Sequence, residues 1–319
     1  MKRLAPRAAV CGWLLACFFA AESAFPQSPP AELRLKVDVR LVRVVATVRD
    51  AKGRLVPHLG PEDFEIYEEG RPQRIALFEA ETDLPLSIAL LLDSSPSAAK
   101  EWNFVATSAG AFLRRVLRPS DQAAVYEFAG NVRRLANYTS QWPRLEGAIR
   151  GIQLSSGTSL YDAIHRTAQE MEKLEGRKAM VVLSDGADTT SRRSYHEALE
   201  AALRAEAAIY SIAVIPIRSQ SGRSTAGEHS LVGLARSTGG ASFAQDSLIS
   251  LETAFTQIEE ELRTQYLLGY YPEQNPPQPQ NRSGATSLPR YVRIEVRMKN
   301  PSWIARAREG YYAAKSSDK

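Results

Sequence analysis

Residues 85–97 read Pro-Leu-Ser-Ile-Ala-Leu-Leu-Leu-Asp-Ser-Ser-Pro-Ser, and this stretch constrains the fold more than any other. Ile88 to Leu92 is an unbroken apolar run that stops at Asp93. A short run without polar alternation reads as a strand covered on both faces, as in a parallel sheet. Its tip carries one carboxylate and two hydroxyls at alternate positions, Asp93, Ser95 and Ser97. These are hard oxygen donors that a turn can aim at one point, and they suit Mg2+, Mn2+ or Ca2+. In doubly wound folds ligands bind at the carboxyl ends of strands. The same Ser-rich tip also suits the N-cap of a following helix.

The rhythm after this tip is strand, helix, strand. Trp102, Val105, Ala109, Phe112 and Val116 recur at helical spacing, and Pro119 closes that helix. Ala123–Phe128 and Val132–Tyr138 read as two strands around a Gly130-Asn131 turn. A helix over 142–152, a loop holding Thr158 and a helix over 159–174 follow. Lys178 to Ser184 is a second buried strand, and it ends at Asp185. A helix over 194–206 and a buried strand over 209–215 come next. Residues 218–228 are polar and read as a mobile loop, followed by a short helix and a strand at 241–244. Leu248, Leu251, Phe255, Ile258 and Leu262 mark a last amphipathic helix. Strands alternating with helices imply an α/β, doubly wound, mostly parallel sheet.

The set D-x-S-x-S at Asp93, Ser95 and Ser97, then Thr158, then Asp185, resembles the von Willebrand factor A domain and its metal-ion-dependent adhesion site, over residues 84–264. The resemblance implies that Ser95 and Ser97 ligate a metal through their hydroxyls and that Thr158 ligates directly or through water. It implies that Asp93 and Asp185 act mostly through bound water. The ion would be Mg2+ or Mn2+, with Ca2+ as the alternative, and an open position would take an Asp or Glu of a partner protein. Two carboxylates just neutralise a divalent ion, which leaves that position favourable to an acidic group. Asp188 reads as a solvated loop carboxylate, with support of this site as the alternative. The flanks, DFEIYEEGRPQRIALFEAE (63–81) and QYLLGYYPE (265–273), resemble those of a family of secreted bacterial proteins related to this domain.

Those flanks read as strands. Residues 33–48 alternate, Asp50 to Gly53 is a turn, Leu59 to Phe64 holds a helical turn, and Phe64–Tyr67 and Ile75–Phe78 read as a hairpin. Tyr291–Met298 alternates, and Ile304–Tyr312 is a last strand interrupted at Gly310. Residues 273–289 are Pro-rich without apolar period and read as a disordered loop. Neither flank makes a core alone. The expectation is one small β-sandwich built from 33–81 and 265–313, with the von Willebrand factor A segment inserted between them.

The N-terminus carries Lys2, Arg3 and Arg7, then an apolar run from Ala8 to Ala21, which reads as a secretory signal peptide over 1–24. A Pro-rich linker follows at 25–32. Both cysteines, Cys11 and Cys17, lie in the signal segment over 1–24, so disulfides and Cys-based zinc sites are excluded downstream. Leu14 to Cys17 also has the form of a lipoprotein box, the alternative mode of anchoring. Removing 1–24 takes away three bases and Glu22, which leaves a near-neutral chain with no case for nucleic acid. No second apolar stretch is long enough for a bilayer, and no feature sets an oligomeric state. His58, His165, His196 and His229 lack metal-ligand spacing. Ser97-Ala98-Ala99-Lys100 has the S-x-x-K form without a K-T-G partner. The expectation is a secreted, periplasmic or cell-surface binding protein rather than an enzyme. The alternatives are a structural subunit of a cell-envelope complex with a stabilising metal and a metal-dependent hydrolase. The hydrolase would need a base near the metal, and no His or Glu adjoins the three motifs in sequence.

Overall fold

The computed structural model describes residues 41–80, 84–96, 102–214, 225–245, 248–272 and 290–313. The expected signal segment with Cys17, the linker, residues 33–40 of the first strand, the metal-site residue Ser97, residues 218–224 and the loop 273–289 lie outside the described residues.

The chain opens with β1 (Val42–Asp50), a single 3-10 turn at Pro61–Asp63, then β2 (Phe64–Glu68), β3 (Arg71–Gln73) and β4 (Ile75–Ala80). The α/β segment runs β5 (Leu86–Asp93), α1 (Trp102–Val116), β6 (Gln122–Phe128), β7 (Val132–Thr139), α2 (Trp142–Arg150), α3 (Leu160–Met171) and β8 (Arg177–Ser184). It continues with α4 (Tyr195–Arg204), β9 (Ala207–Val214), α5 (Thr225–Thr238), β10 (Ser242–Gln245) and α6 (Leu248–Arg263). The chain closes with β11 (Tyr266–Tyr270), β12 (Tyr291–Met298), β13 (Trp303–Ala307) and β14 (Gly310–Tyr312).

Six strands make one sheet in the order β10-β9-β8-β5-β6-β7. All pairs are parallel except the edge pair β6 and β7. The apolar run predicted to be covered on both faces lies at the centre, and every residue of β5 is buried. Ile88, Leu90 and Leu92 face α1, α2 and α6, while Ala89 and Leu91 face α3, α4 and α5. On the first face Phe112 stacks on Phe255 with ring centroids 4.7 Å apart. Each large aliphatic side chain buried this way contributes about 1.5–3 kcal/mol.

The flanking strands form two four-stranded sheets, β13-β1-β11-β4 and β14-β12-β2-β3. Each sheet mixes strands from both ends of the chain. Val44, Ala46, Phe64, Ile66, Tyr266, Tyr270 and Ile294 share one core between them, which makes a β-sandwich. The α/β segment leaves after β4 and returns into β11. These two strands are antiparallel neighbours with Tyr266 opposite Ala80, so exit and entry lie side by side.

Three local expectations need correction. The hairpin partner of β2 is β3, with Tyr67 opposite Pro72, not the strand at 75–78. Pro72 lacks an N–H and confines β3 to an edge, and the chain then crosses at Arg74 so that β4 joins the other sheet, with Phe78 opposite Leu268. The last strand is two strands in different sheets, and Gly310 opens β14 rather than interrupting one strand. Thr225 to Glu228 is the start of α5 and not loop, and the helix is long, at 14 residues.

Candidate metal centre

β5 and β8 run parallel with Leu92 opposite Leu183, so Asp93 and Ser184 leave the sheet together at its carboxyl end. The Ser184 hydroxyl donates to Asp93 Oδ2 at 2.6 Å, and the Ser95 N–H donates to Oδ1 at 2.9 Å. Asp93 is only 4% exposed. Burial pushes its carboxyl above the usual range and the charge of Asp185 adds to this, while hydrogen bonds from Ser184 and Ser95 pull it back. Asp185 is half-buried and accepts from the Ala187 N–H at 3.0 Å. The next residue, Gly186, has φ +81, and a Cβ there would stand 2.4 Å from the Gly227 carbonyl oxygen. The start of α5 therefore packs directly on the backbone that presents Asp185, and only glycine fits.

The Thr158 loop is laced onto the same end. Ser155 N–H donates to Ser94 O at 2.9 Å, Gly130 N–H to Ser156 O at 2.9 Å and Ser159 N–H to Ala129 O at 2.7 Å. Thr158 N–H donates to Thr189 Oγ1 at 2.9 Å, and its carbonyl accepts from the N–H groups of Thr189 and Thr190. The loop thus joins the tip of β5, the β6–β7 turn and the segment after β8. Among the described residues the Thr158 hydroxyl makes no hydrogen bond, and the residue is 5% exposed.

The structure brings Asp93, Ser95, Thr158 and Asp185 to one end of the sheet. The donor chemistry is two carboxylates with neutral hydroxyls, which fits a hard divalent ion. Among the described residues no three His, Cys, Asp or Glu side chains gather to hold a metal, so the softer donor sets are not present there. Asp188 is no solvated loop carboxylate. It accepts from the Tyr161 N–H at 3.3 Å and from the Ser191 hydroxyl at 2.6 Å, and so ties the loop after β8 to the first turn of α3.

Sequence reasoning missed Glu127. It sits on β6 opposite Leu92 and is 4% exposed. Oε1 accepts from the Ser94 hydroxyl at 3.3 Å and Oε2 from Arg133 at 2.7 Å. A glutamate therefore does adjoin the motifs, although both its oxygens are engaged. Its place just before the Gly130 turn was the available signal, because parallel pairing of β5 and β6 aligns their ends.

No curated protein sequence matches the chain. An aerotolerance-related membrane protein from Bacteroides fragilis is similar at 18% identity, covering 55% of this chain and 98% of that one, with TM-score 0.45. BatB from Bacteroides thetaiotaomicron is similar at 16% identity over 55% of this chain and 99% of its own, with TM-score 0.44. The vWF domain of the type V pili tip protein Mfa5 from Porphyromonas gingivalis is similar at 12% identity over 57% and 96%, with TM-score 0.47. Residues 88–187, the stretch from β5 to the loop after β8 that carries this candidate centre, match the family model of the von Willebrand factor type A domain.

Proposed function

We propose that this chain is a non-enzymatic protein-binding module that takes an acidic group of a partner through a divalent ion held by Asp93, Ser95, Ser97, Thr158 and Asp185. The observation that carries the reading is the convergence of a buried Asp93, the neighbouring Asp185 and the unbonded Thr158 hydroxyl at one end of the sheet. The ion is Mg2+ or Mn2+, with Ca2+ as the alternative, and it would supply a positive centre able to accept one more oxygen ligand from outside. The chain's own residues do the positioning. Ser184 and the Ser95 N–H hold the Asp93 carboxylate in one orientation, and Gly186 lets α5 approach the Asp185 turn. Hydrolysis fits less well, because Glu127 is spent on Ser94 and Arg133 and offers no free base. Secretion or display at the cell surface through residues 1–24 belongs to the same reading. Among the described residues no helix is long and apolar enough to cross a membrane.

The test is calorimetry and thermal unfolding with Mg2+ and Mn2+. Binding to the folded state raises the midpoint, by about 2.7 kcal/mol of stability at a hundredfold excess over Kd. Asp93→Ala and Thr158→Ala are expected to remove that rise, and the second should leave the metal-free midpoint unchanged. Absence of both heat and midpoint shift in the wild type would sink the proposal.

A further inference from the structure

At the opposite end of the six-stranded sheet, where β8 and β9 begin, a cavity of about 40 Å³ lies against the outer face of the β1–β11 pair. Val44 and Ala46 point into the sandwich core, so the alternate residues Arg43 and Val45 point the other way, into this cavity. Its charged lining is Arg43, Arg177, Lys178 and Arg308 against the single carboxylate of Glu206.

Most charged groups in a protein interior are paired. Arg177 is used, since Nη1 donates to the Leu262 carbonyl at 2.6 Å. Arg43 donates to Glu206 at 2.9 Å. Arg308 donates to the Arg43 carbonyl and stands 3.8 Å from Glu206, yet its Nε is buried with no hydrogen-bond partner among the described residues. Lys178 is 8% exposed, and among the described residues it makes no hydrogen bond or direct ion pair. Burial holds its ammonium below the usual lysine range. One carboxylate therefore answers for Arg43, Lys178 and Arg308 together.

Glu206 itself has φ +55, at the end of α4, where a chain reversal ordinarily takes glycine. A glutamate held in that strained region keeps its carboxylate against Arg43 and Arg308. It orients the two guanidinium groups, and its charge acts on Lys178 without a direct ion pair.

We infer that this cavity is a binding site for a small oxyanion, seated on Lys178 and the inner edges of Arg43 and Arg308. The size agrees, since one water needs about 10–15 Å³ of such space. The site therefore holds a phosphate-sized ion or a carboxylate head and nothing as large as a nucleotide. Arg43, whose side chain is 41% exposed, leaves a way in from solvent. The inference is independent of the metal centre, which lies at the other end of the strands.

The experiment titrates the whole chain with inorganic phosphate and, separately, with acetate, at constant ionic strength, and follows heat and unfolding midpoint. Saturable binding of at least one is expected, and the tighter of the two identifies the oxyanion class. Lys178→Met keeps the buried stem and removes the charge, and is expected to weaken binding about tenfold or more. Arg43→Gln, a partly exposed position, serves as a second variant and should weaken it as well. Any midpoint rise that persists in Lys178→Met measures the general stabilising action of phosphate on folded proteins. No saturable binding, or binding of equal strength in wild type and both variants, would overturn the site.

Discussion

Two residues carry constraints that are local enough to test one at a time. Gly186 combines φ +81 with a backbone contact that leaves no space for a methyl group. Gly186→Ala is expected to cost about 2 kcal/mol or more, read from urea unfolding. Because the residue follows Asp185, the variant should also bind Mg2+ more weakly, and a variant of wild-type stability would show that α5 can yield. Glu197 closes a capping box on α4. Its carboxylate accepts from the Ser194 N–H at 2.9 Å, and that bond first, then Arg193 and the Ser194 hydroxyl, pulls its pKa down to about 2. A folded-state value below the ordinary 4.5 means the contribution is present above that pH and is lost as pH falls towards 2. Glu197→Gln should flatten the stability profile across that window and leave its shape near neutral pH unchanged.

At the scale of elements, α6 is the piece that joins the two halves. It packs Phe255 on α1 and runs almost directly into β11. Near its end Glu261, 1% exposed, accepts from Arg49 of β1 and from Arg306 of β13. One buried carboxylate thus fastens the helix to two strands of one sheet. Glu261→Ala leaves two guanidinium groups without their partner, and removal of one member of a buried pair costs about 3–5 kcal/mol. Both arginines here are 30% exposed on their side chains, which screens the loss, so the low end is expected in urea unfolding. Hydrogen exchange should rise in α6 and β11 before it rises in β5. Unchanged exchange in β11 would mean that the junction is held by packing alone.

The whole molecule is an insertion whose outer part cannot be divided along the sequence. β1 is paired on one side by β11 and on the other by β13, and β2 takes β12. A chain ending after Pro272 would keep every strand of the six-stranded sheet and lose β12, β13 and β14. Limited proteolysis of that truncation is expected to cut within 41–80 while 84–264 survives. Equal protection of both regions would show that the first-half strands hold together without their partners.

Much of this was legible in the sequence. Ile88 to Leu92 announced a strand covered on both faces, and the spacing of Trp102 to Val116 and of Leu248 to Leu262 announced helices with one buried stripe. Such features follow from period and burial, which are properties of a few neighbouring residues. The gathering of Asp93, Thr158 and Asp185 at one end was legible too, because parallel strands with helical crossovers all present their carboxyl ends on the same side. Pairing was harder. Alternation in residues 64–78 marked strands but did not say that β3 would take the edge beside β2 and send β4 across to β11, on the far side of the α/β segment. Backbone hydrogen bonds between strands carry no side-chain signature, so their partners are chosen by which faces must be covered. The same reason hid Glu127 beside Ser94 and the meeting of Arg43, Lys178, Glu206 and Arg308. Each is an ordinary charged residue in its own stretch; the pairing of β5 with β6 buries Glu127, and the packing of the sandwich against the amino ends of β8 and β9 buries Lys178 and Arg308.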